Sequence, residues 1–293
     1  MNKSNTLISL LLVLISLTWA GSFIAVKVTV DEISPIDLGF LRFLVATPFM
    51  VLILFLRKKD IRIPVKELPS LIVIGLTGVT LLYIFQFTGI EYTTASTSSV
   101  LINVNVIFIA LLSAFFLKEK FSIMKTLGVA ISFFGVIVVI LSQTTNETIL
   151  FNNIFLIGSI FIILSAFCWA VYSIVGKKLL TRYDSFIVTT YAFVLGTIFF
   201  LPVVLPNILG VVQNISFNGW IAIFYLALLC SVFGYVAWYY ALSKTEAGRA
   251  AVFLNLIPLF TITLSFFIKE IPTILFLIGA ILIIYGVYLT QKS

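Results

Sequence analysis

The chain has 293 residues, of which 61% are hydrophobic and only 10% charged, with 18 basic side chains against 11 acidic ones and no histidine. A soluble domain carries about 25% charged residues, so this composition excludes a protein surfaced by water and makes lipid the solvent for most of the chain. The net charge of +7 does not point to nucleic acid, because the basic residues lie in short connectors between apolar runs and form no basic stripe.

A membrane-spanning helix needs about 20 mostly apolar residues. Ten such runs follow one another: 6–27, 36–56, 67–88, 94–117, 123–142, 153–176, 186–206, 217–241, 247–268 and 272–290. The first contains SLTWAGSFIAVK (16–27). Trp19 lies too deep in this run for an interfacial aromatic belt and reads as cavity lining. Ser22 faces the same way, and Gly21 lets a neighbour approach. Lys27 ends the run, where a cation suits the negative end of a helix dipole. Lys3, the apolar stretch and TWAGS imitate a cleaved leader. The segment returns deep in the chain as AFCWAVYSIVGK (166–177), however, and so reads as a permanent span.

The second run holds Arg42, the one cation clearly inside a span. It could hold a substrate carboxylate, snorkel outward, or bond nearby carbonyls and Asp37. In the third run, Tyr83, Gln86 and Phe87 share a helical face by their i, i+3 and i+4 spacing. In the fourth, Asn103 lies roughly 12 Å from Ala95 at 1.5 Å per residue, near the middle of the bilayer. A buried amide there serves either a polar substrate or a bond between helices. Asn105 falls on another face, which weakens both readings for it. Gly128 and Gly135 sit one heptad apart in the fifth run and read as packing positions.

The second half repeats these features. Trp169 and Tyr172 lie in the sixth run, and Lys177 ends it. The eighth run places Tyr235, Trp238 and Tyr239 on one face, with Tyr239 and Tyr240 close enough to the helix end to suit an interfacial belt. Asn255 in the ninth run lies at the depth of Asn103, measured from the opposite side, and Gly279 and Gly286 in the tenth match Gly128 and Gly135. Cys168 and Cys230 sit in apolar runs as small buried thiols.

The connectors orient the chain. With the N-terminus in the cytoplasm, the inner connectors take every basic residue except Lys27, Arg42 and Lys269, while Asp31, Glu32, Asp37, Glu91, Glu147 and Glu270 fall outside. This asymmetry predicts a multi-pass protein of the cell membrane with both termini inside.

Residues 1–145 and 146–293 align as an internal repeat offset by about 150 positions. Trp19, Ala20, Ile24 and Lys27 match Trp169, Ala170, Ile174 and Lys177; ASTSSVLINVNVIF (95–108) matches AGRAAVFLNLIPLF (247–260). Tyr83 then pairs with Tyr235, Gln86 with Trp238, and Glu119 with Glu270. Five runs per half is an odd number, so the second half enters the membrane upside down. Inverted repeats are the signature of secondary transporters, with a substrate site near the midplane.

Two five-helix repeats of this kind, each with a tryptophan near the middle of its first helix, resemble the EamA-type transporters of the drug/metabolite transporter superfamily. LRFLVA (41–46), the connectors LKEKFS (117–122) and IKEIPT (268–273), and a glycine pair in each final helix carry the likeness further. The resemblance implies an all-α fold of ten spanning helices around a central cavity, with helices 5 and 10 peripheral. It implies export or exchange of small organic molecules such as amino acids. Val106 stands where helix 9 has Pro258, which predicts that helix 4 lacks the kink expected in helix 9.

The expected substrate-binding set is Trp19, Ser22, Tyr83, Gln86, Asn103, Trp169, Tyr172, Tyr235, Trp238 and Asn255, with Arg42 as a possible carboxylate contact. Aromatic rings in such a set bind apolar and ammonium groups. No Asp or Glu lies near the middle of a span, so the cavity favours neutral, zwitterionic or anionic solutes and offers no buried proton relay. No cofactor or metal is expected. A membrane enzyme lacks its carboxylate pair and ligand cluster here, an ATP-driven pump its Gly-Lys loop, and a channel its polar filter or charged ring.

Overall fold

The computed structural model describes residues 3–57, 62–117, 123–142, 153–206, 208–245 and 247–292. Every regular element among them is helical: α1 (Lys3–Thr29), α2 (Pro35–Leu56), α3 (Val65–Tyr92), α4 (Ala95–Ile102 and Asn105–Leu117), α5 (Ile123–Leu141), α6 (Asn153–Leu180), α7 (Ser185–Val204), α8 (Phe217–Lys244), α9 (Ala247–Val252 through Leu256–Ser265) and α10 (Ile274–Lys292). A short helix, Ile208–Asn214, precedes α8. Seven of these helices, α1 to α4 and α6 to α8, are long and apolar enough to cross a membrane; α5, α9 and α10 are shorter apolar helices over 126–141, 253–268 and 274–289. The sequence reading gave all ten equal standing as spans.

Local chemistry sets several starts. Ser34 caps α2 by accepting from the Asp37 amide at 3.3 Å, with Pro35 in the first turn, where its missing N–H is not needed. Thr94 caps α4 by accepting from Thr97 N at 3.0 Å, and Asp184 caps α7 by accepting from Phe186 N at 2.9 Å. Glu119 and Glu147 lie outside the described residues.

Helices α5 and α10 form the most extensive pair, antiparallel and seamed by glycine. A Cβ on Gly286 would stand 2.5 Å from the Gly128 carbonyl oxygen, and one on Gly135 would stand 2.9 Å from that of Gly279. Only backbones without side chains approach this closely. Helix α6 packs against α3 and α4, while α1 packs against α8 and α9 and α2 against α7. Several sequence-matched residues touch their own counterparts: Thr47 and Thr197 share a hydroxyl hydrogen bond of 2.8 Å, Tyr83 and Tyr235 share another of 2.8 Å, and Ser132 donates to the Ile283 carbonyl at 3.1 Å.

The two lysines expected to end their own helices instead serve other helices. Helix α1 runs on to Thr29, and Lys27 Nζ donates to the carbonyls of Ile90, Glu91 and Thr93 at 3.1, 3.2 and 2.6 Å, where α3 ends. Lys177 donates to the Thr245 carbonyl at 3.3 Å, where α8 ends. The orphan carbonyls of a helix C-terminus explain both positions. Lys269 takes the left-handed conformation (φ 60). The following Glu270 accepts from Ala95 N at 3.0 Å and Ser96 N at 3.1 Å, which places an anion at the positive end of α4.

Candidate functional site

Helices α4 and α9 both break near their middles. Around Asn103 the backbone bonds shorten to i→i−3, Asn103 N to Val100 O at 3.2 Å and Val104 N to Leu101 O at 3.1 Å, and α4 resumes at Asn105. Helix α9 tightens into a 3₁₀ turn over Phe253–Asn255. The expectation of an unkinked helix 4 is therefore corrected: the interruption needs no proline. At the two breaks, Asn103 Nδ2 donates to Asn255 Oδ1 at 2.7 Å, so each asparagine is the other's partner.

Helices α3 and α8 widen instead of tightening, with π-helical turns at Leu76–Thr80 and Tyr225–Phe233. Such turns release backbone groups from the i→i−4 ladder and recur at functional sites. In α8 the Cys230 carbonyl accepts from Trp19 Nε1 at 3.0 Å. At the matched place in α3, the Gly78 carbonyl accepts from the Tyr235 hydroxyl at 2.7 Å.

Between these breaks and bulges lies a narrow central cavity of about 50 Å³, room for a few ordered waters. Trp19, Ser22, Phe23, Arg42, Leu82, Tyr83, Gln86, Ile102, Asn105, Trp169, Leu254 and Ile257 line it. Both halves of the chain contribute, and so do both broken helices.

Of the expected residues, Trp19, Ser22, Tyr83, Gln86, Trp169 and Arg42 border this space. Ser22 spends its proton on its own helix, donating to the Trp19 carbonyl at 2.6 Å. Asn103, Asn255, Tyr172, Tyr235 and Trp238 stand outside the lining. Tyr235 and Trp238 are fully buried in an aromatic cluster behind it, with Trp169 centred 5.5 Å from Tyr235 and 5.6 Å from Trp238. Tyr172 stacks on Tyr239 at 4.6 Å. Tyr239 is thus a core residue and not part of an interfacial belt; Tyr240 is exposed. Asn105, for which the sequence weakened both readings, lines the cavity just past the break at Asn103 and Val104.

Arg42 is 1% exposed, so it does not snorkel. Its Nε donates to Ser231 Oγ at 2.5 Å, and the guanidinium lies 4.2 Å from the Tyr83 ring centre. Asp37 instead accepts from Ser34 Oγ at 2.6 Å. No carboxylate among the described residues forms an ion pair with Arg42. A second, wider cavity of about 670 Å³ sits at the end of the molecule where α6 and α8 finish, lined by Ile8, Leu12, Lys177, Leu242, Lys244 and Phe253 among others. The described residues contain no group of His, Cys, Asp and Glu able to hold a metal ion, and both cysteines are free.

The EamA-like transporter family model matches the chain twice, over residues 6–141 and 156–291. The chain belongs to the EamA-like transporter family. An uncharacterized transporter of Archaeoglobus fulgidus is 41% identical to this EamA-like protein over 99% of both chains. The Bacillus subtilis uncharacterized transporter YyaM is 30% identical over 93% of this chain and 89% of its own. A probable terminal-alkyne amino-acid exporter of Streptantibioticus cattleyicolor is 29% identical over 96% of this chain and 92% of its own. One solved crystal structure shares the fold, with a TM-score of 0.66 and 19% identity over 99% of this chain and 96% of that one. The protein is a multi-pass membrane protein of a transporter family.

Proposed function

We propose that this EamA-like protein is a secondary transporter, not an enzyme, that exports or exchanges small organic metabolites such as amino acids by alternating access. Its substrate site is the central cavity, and both termini are cytoplasmic. The observation that carries this reading is the cavity itself, walled by both halves where α4 and α9 are interrupted, the arrangement secondary transporters use at the midplane. Phe23, Leu82, Ile102, Asn105, Leu254 and Ile257 join Trp19, Ser22, Arg42, Tyr83, Gln86 and Trp169 in that site. Asn103 and Asn255 join the two interrupted helices to each other.

Residues that touch their own sequence counterparts lie on the axis relating two similar bodies, as at any two-fold contact. Thr47 with Thr197, Tyr83 with Tyr235, Asn103 with Asn255 and Ser132 with Ile283 support two repeats, 1–145 and 146–293, related by one axis. That relation supports ten helices in two inverted sets of five. The two ends differ. At the Lys27 end, α3 and α6 close on each other through Gly89 and Gly158: a Cβ on Gly89 would stand 2.9 Å from the Gly158 carbonyl oxygen. At the Lys177 end, the matching helices α8 and α1 stand apart across the 670 Å³ cavity, which α6 and α9 also line. The excess of basic connectors supports a cytoplasmic Lys177 end, and the wide cavity there supports reading this conformer as inward-facing. The amino-acid class is supported by the Streptantibioticus relative, a probable terminal-alkyne amino-acid exporter.

Purified protein in liposomes loaded with radiolabelled amino acids tests the reading. Release faster than from protein-free liposomes supports it; equal release across the panel contradicts it.

A further inference from the structure

We propose that the central cavity is a carboxylate site, in which Arg42 and the Trp169 indole donate to one carboxylate of the substrate and Asn105 accepts from a second group on the same molecule. The proposal rests on the transport reading above and adds a substrate class: a small organic acid with a hydrogen-bond donor, as in amino and hydroxy acids.

Three residues that line this one cavity each carry a buried polar atom without a hydrogen-bond partner: Arg42 Nη2, Trp169 Nε1 and Asn105 Oδ1. Their residues are 1%, 6% and 5% exposed. Buried polar groups are nearly always satisfied, and each exception calls for a reason. Two donors and one acceptor around a single space form a complementary set. A carboxylate has about four lone-pair sites for the two donors.

The two matched indoles differ in their partners. Trp19 and Trp169 are matched residues in the two repeats, with ring centres 5.1 Å apart. Trp19 finds a partner in the Cys230 carbonyl, freed by the π-helical turn of α8. The matching carbonyl in α3, Gly78, accepts instead from the Tyr235 hydroxyl at 2.7 Å. One indole therefore anchors a helix and the other keeps its N–H for a ligand.

Charge decides the sign of the ligand. Arg42 is a buried cation whose neighbours are a hydroxyl at 2.5 Å and an aromatic face at 4.2 Å, with no carboxylate among the described residues paired to it. Such a charge is expensive in a membrane and marks a substrate path. An anion supplies the missing counter-ion, and a charge-assisted hydrogen bond to it is about twice as strong as a neutral one. A carboxamide of the same shape supplies neither.

Full-length protein in nanodiscs is titrated by calorimetry with the proteinogenic amino acids, with lactate and glycolate, and with the carboxamide and decarboxylated counterparts of each acid that binds. The acids are expected to bind roughly ten- to hundredfold more tightly than their carboxamides. Trp169→Phe is expected to weaken acid binding about tenfold, with Trp220→Phe unchanged, and Arg42→Gln to remove the preference for acid. The acid–amide comparison on the wild-type protein needs no variant to fold. Equal affinity for acids and carboxamides overturns the carboxylate site while leaving transport intact. If no acid binds, the proposal fails; if in addition no solute leaves loaded liposomes, the transport reading fails with it.

Discussion

Gly158→Leu isolates one end of the transport cycle. Gly158 lies where α6 presses on the end of α3: a Cβ there would stand 2.7 Å from Tyr92 Cβ, 2.9 Å from Thr93 Cγ2 and 3.2 Å from the Gly89 carbonyl oxygen. Carbon atoms are most stable about 3.5–4.0 Å apart, so the new side chain forces the helices to separate. Overpacking of this kind costs about 1–3 kcal/mol. Leucine also gains about 1 kcal/mol of helix propensity over glycine, but that gain is equal in both conformers and cancels. The penalty falls only on the conformer closed at the Lys27 end, so the balance moves toward opening there by a factor of about 5–150. The assay places a cysteine at Ile162, which is buried beneath this seam, in a background with Cys168 and Cys230 changed to alanine. A membrane-impermeant maleimide is then added outside intact cells. The parent is expected to label slowly and Gly158→Leu faster by that factor. An unchanged rate in a folded variant refutes the seam as a gate.

Three further perturbations test the frame. Lys27→Met leaves three helix-end carbonyls without their donor and is expected to lower unfolding stability by about 1–3 kcal/mol; equilibrium unfolding in denaturant reads it, and an unchanged midpoint would sink the capping role. A double-mutant cycle on Asn103→Ala and Asn255→Ala is expected to show a coupling of about 0.6 kcal/mol, up to about 1.7; strictly additive costs would mean that the 2.7 Å bond contributes nothing. Gly286→Leu is expected to separate α5 from α10 and lower thermal stability, with transport per folded molecule little changed if those helices only pack; loss of transport at full stability would give them another role.

Much of the frame is legible in the sequence because lipid makes a plain demand. Long apolar runs are visible without partners, and Trp19 with Trp169 or Gly135 with Gly286 reveal the repeat by spacing alone. Arg42 stands out because a cation inside a span is rare. The missed features depend on backbone geometry. Asn105 lines the cavity at the point where α4 resumes after its break, and no proline announces that break. The π-helical turns in α3 and α8 arise within ordinary apolar segments, so the pairing of Trp19 with Cys230, and the unpaired Trp169, are tertiary facts. Tyr172 and Tyr239 look like lining and belt by position, yet stack in the core because α6 and α8 meet there. Lys27 sits near its own helix end, but its partners belong to α3, which no periodicity within α1 predicts.

The central claim is carrier-mediated movement of a small metabolite through the cavity between the two repeats. Counterflow in proteoliposomes tests it most directly: vesicles are preloaded with unlabelled amino acid, diluted into a trace of the labelled form, and followed over time. The account predicts saturable uptake that overshoots equilibrium and is accelerated by solute on the opposite side, and that is lost in Arg42→Gln. Uptake that rises linearly with concentration, shows no trans-acceleration and matches protein-free vesicles would contradict it.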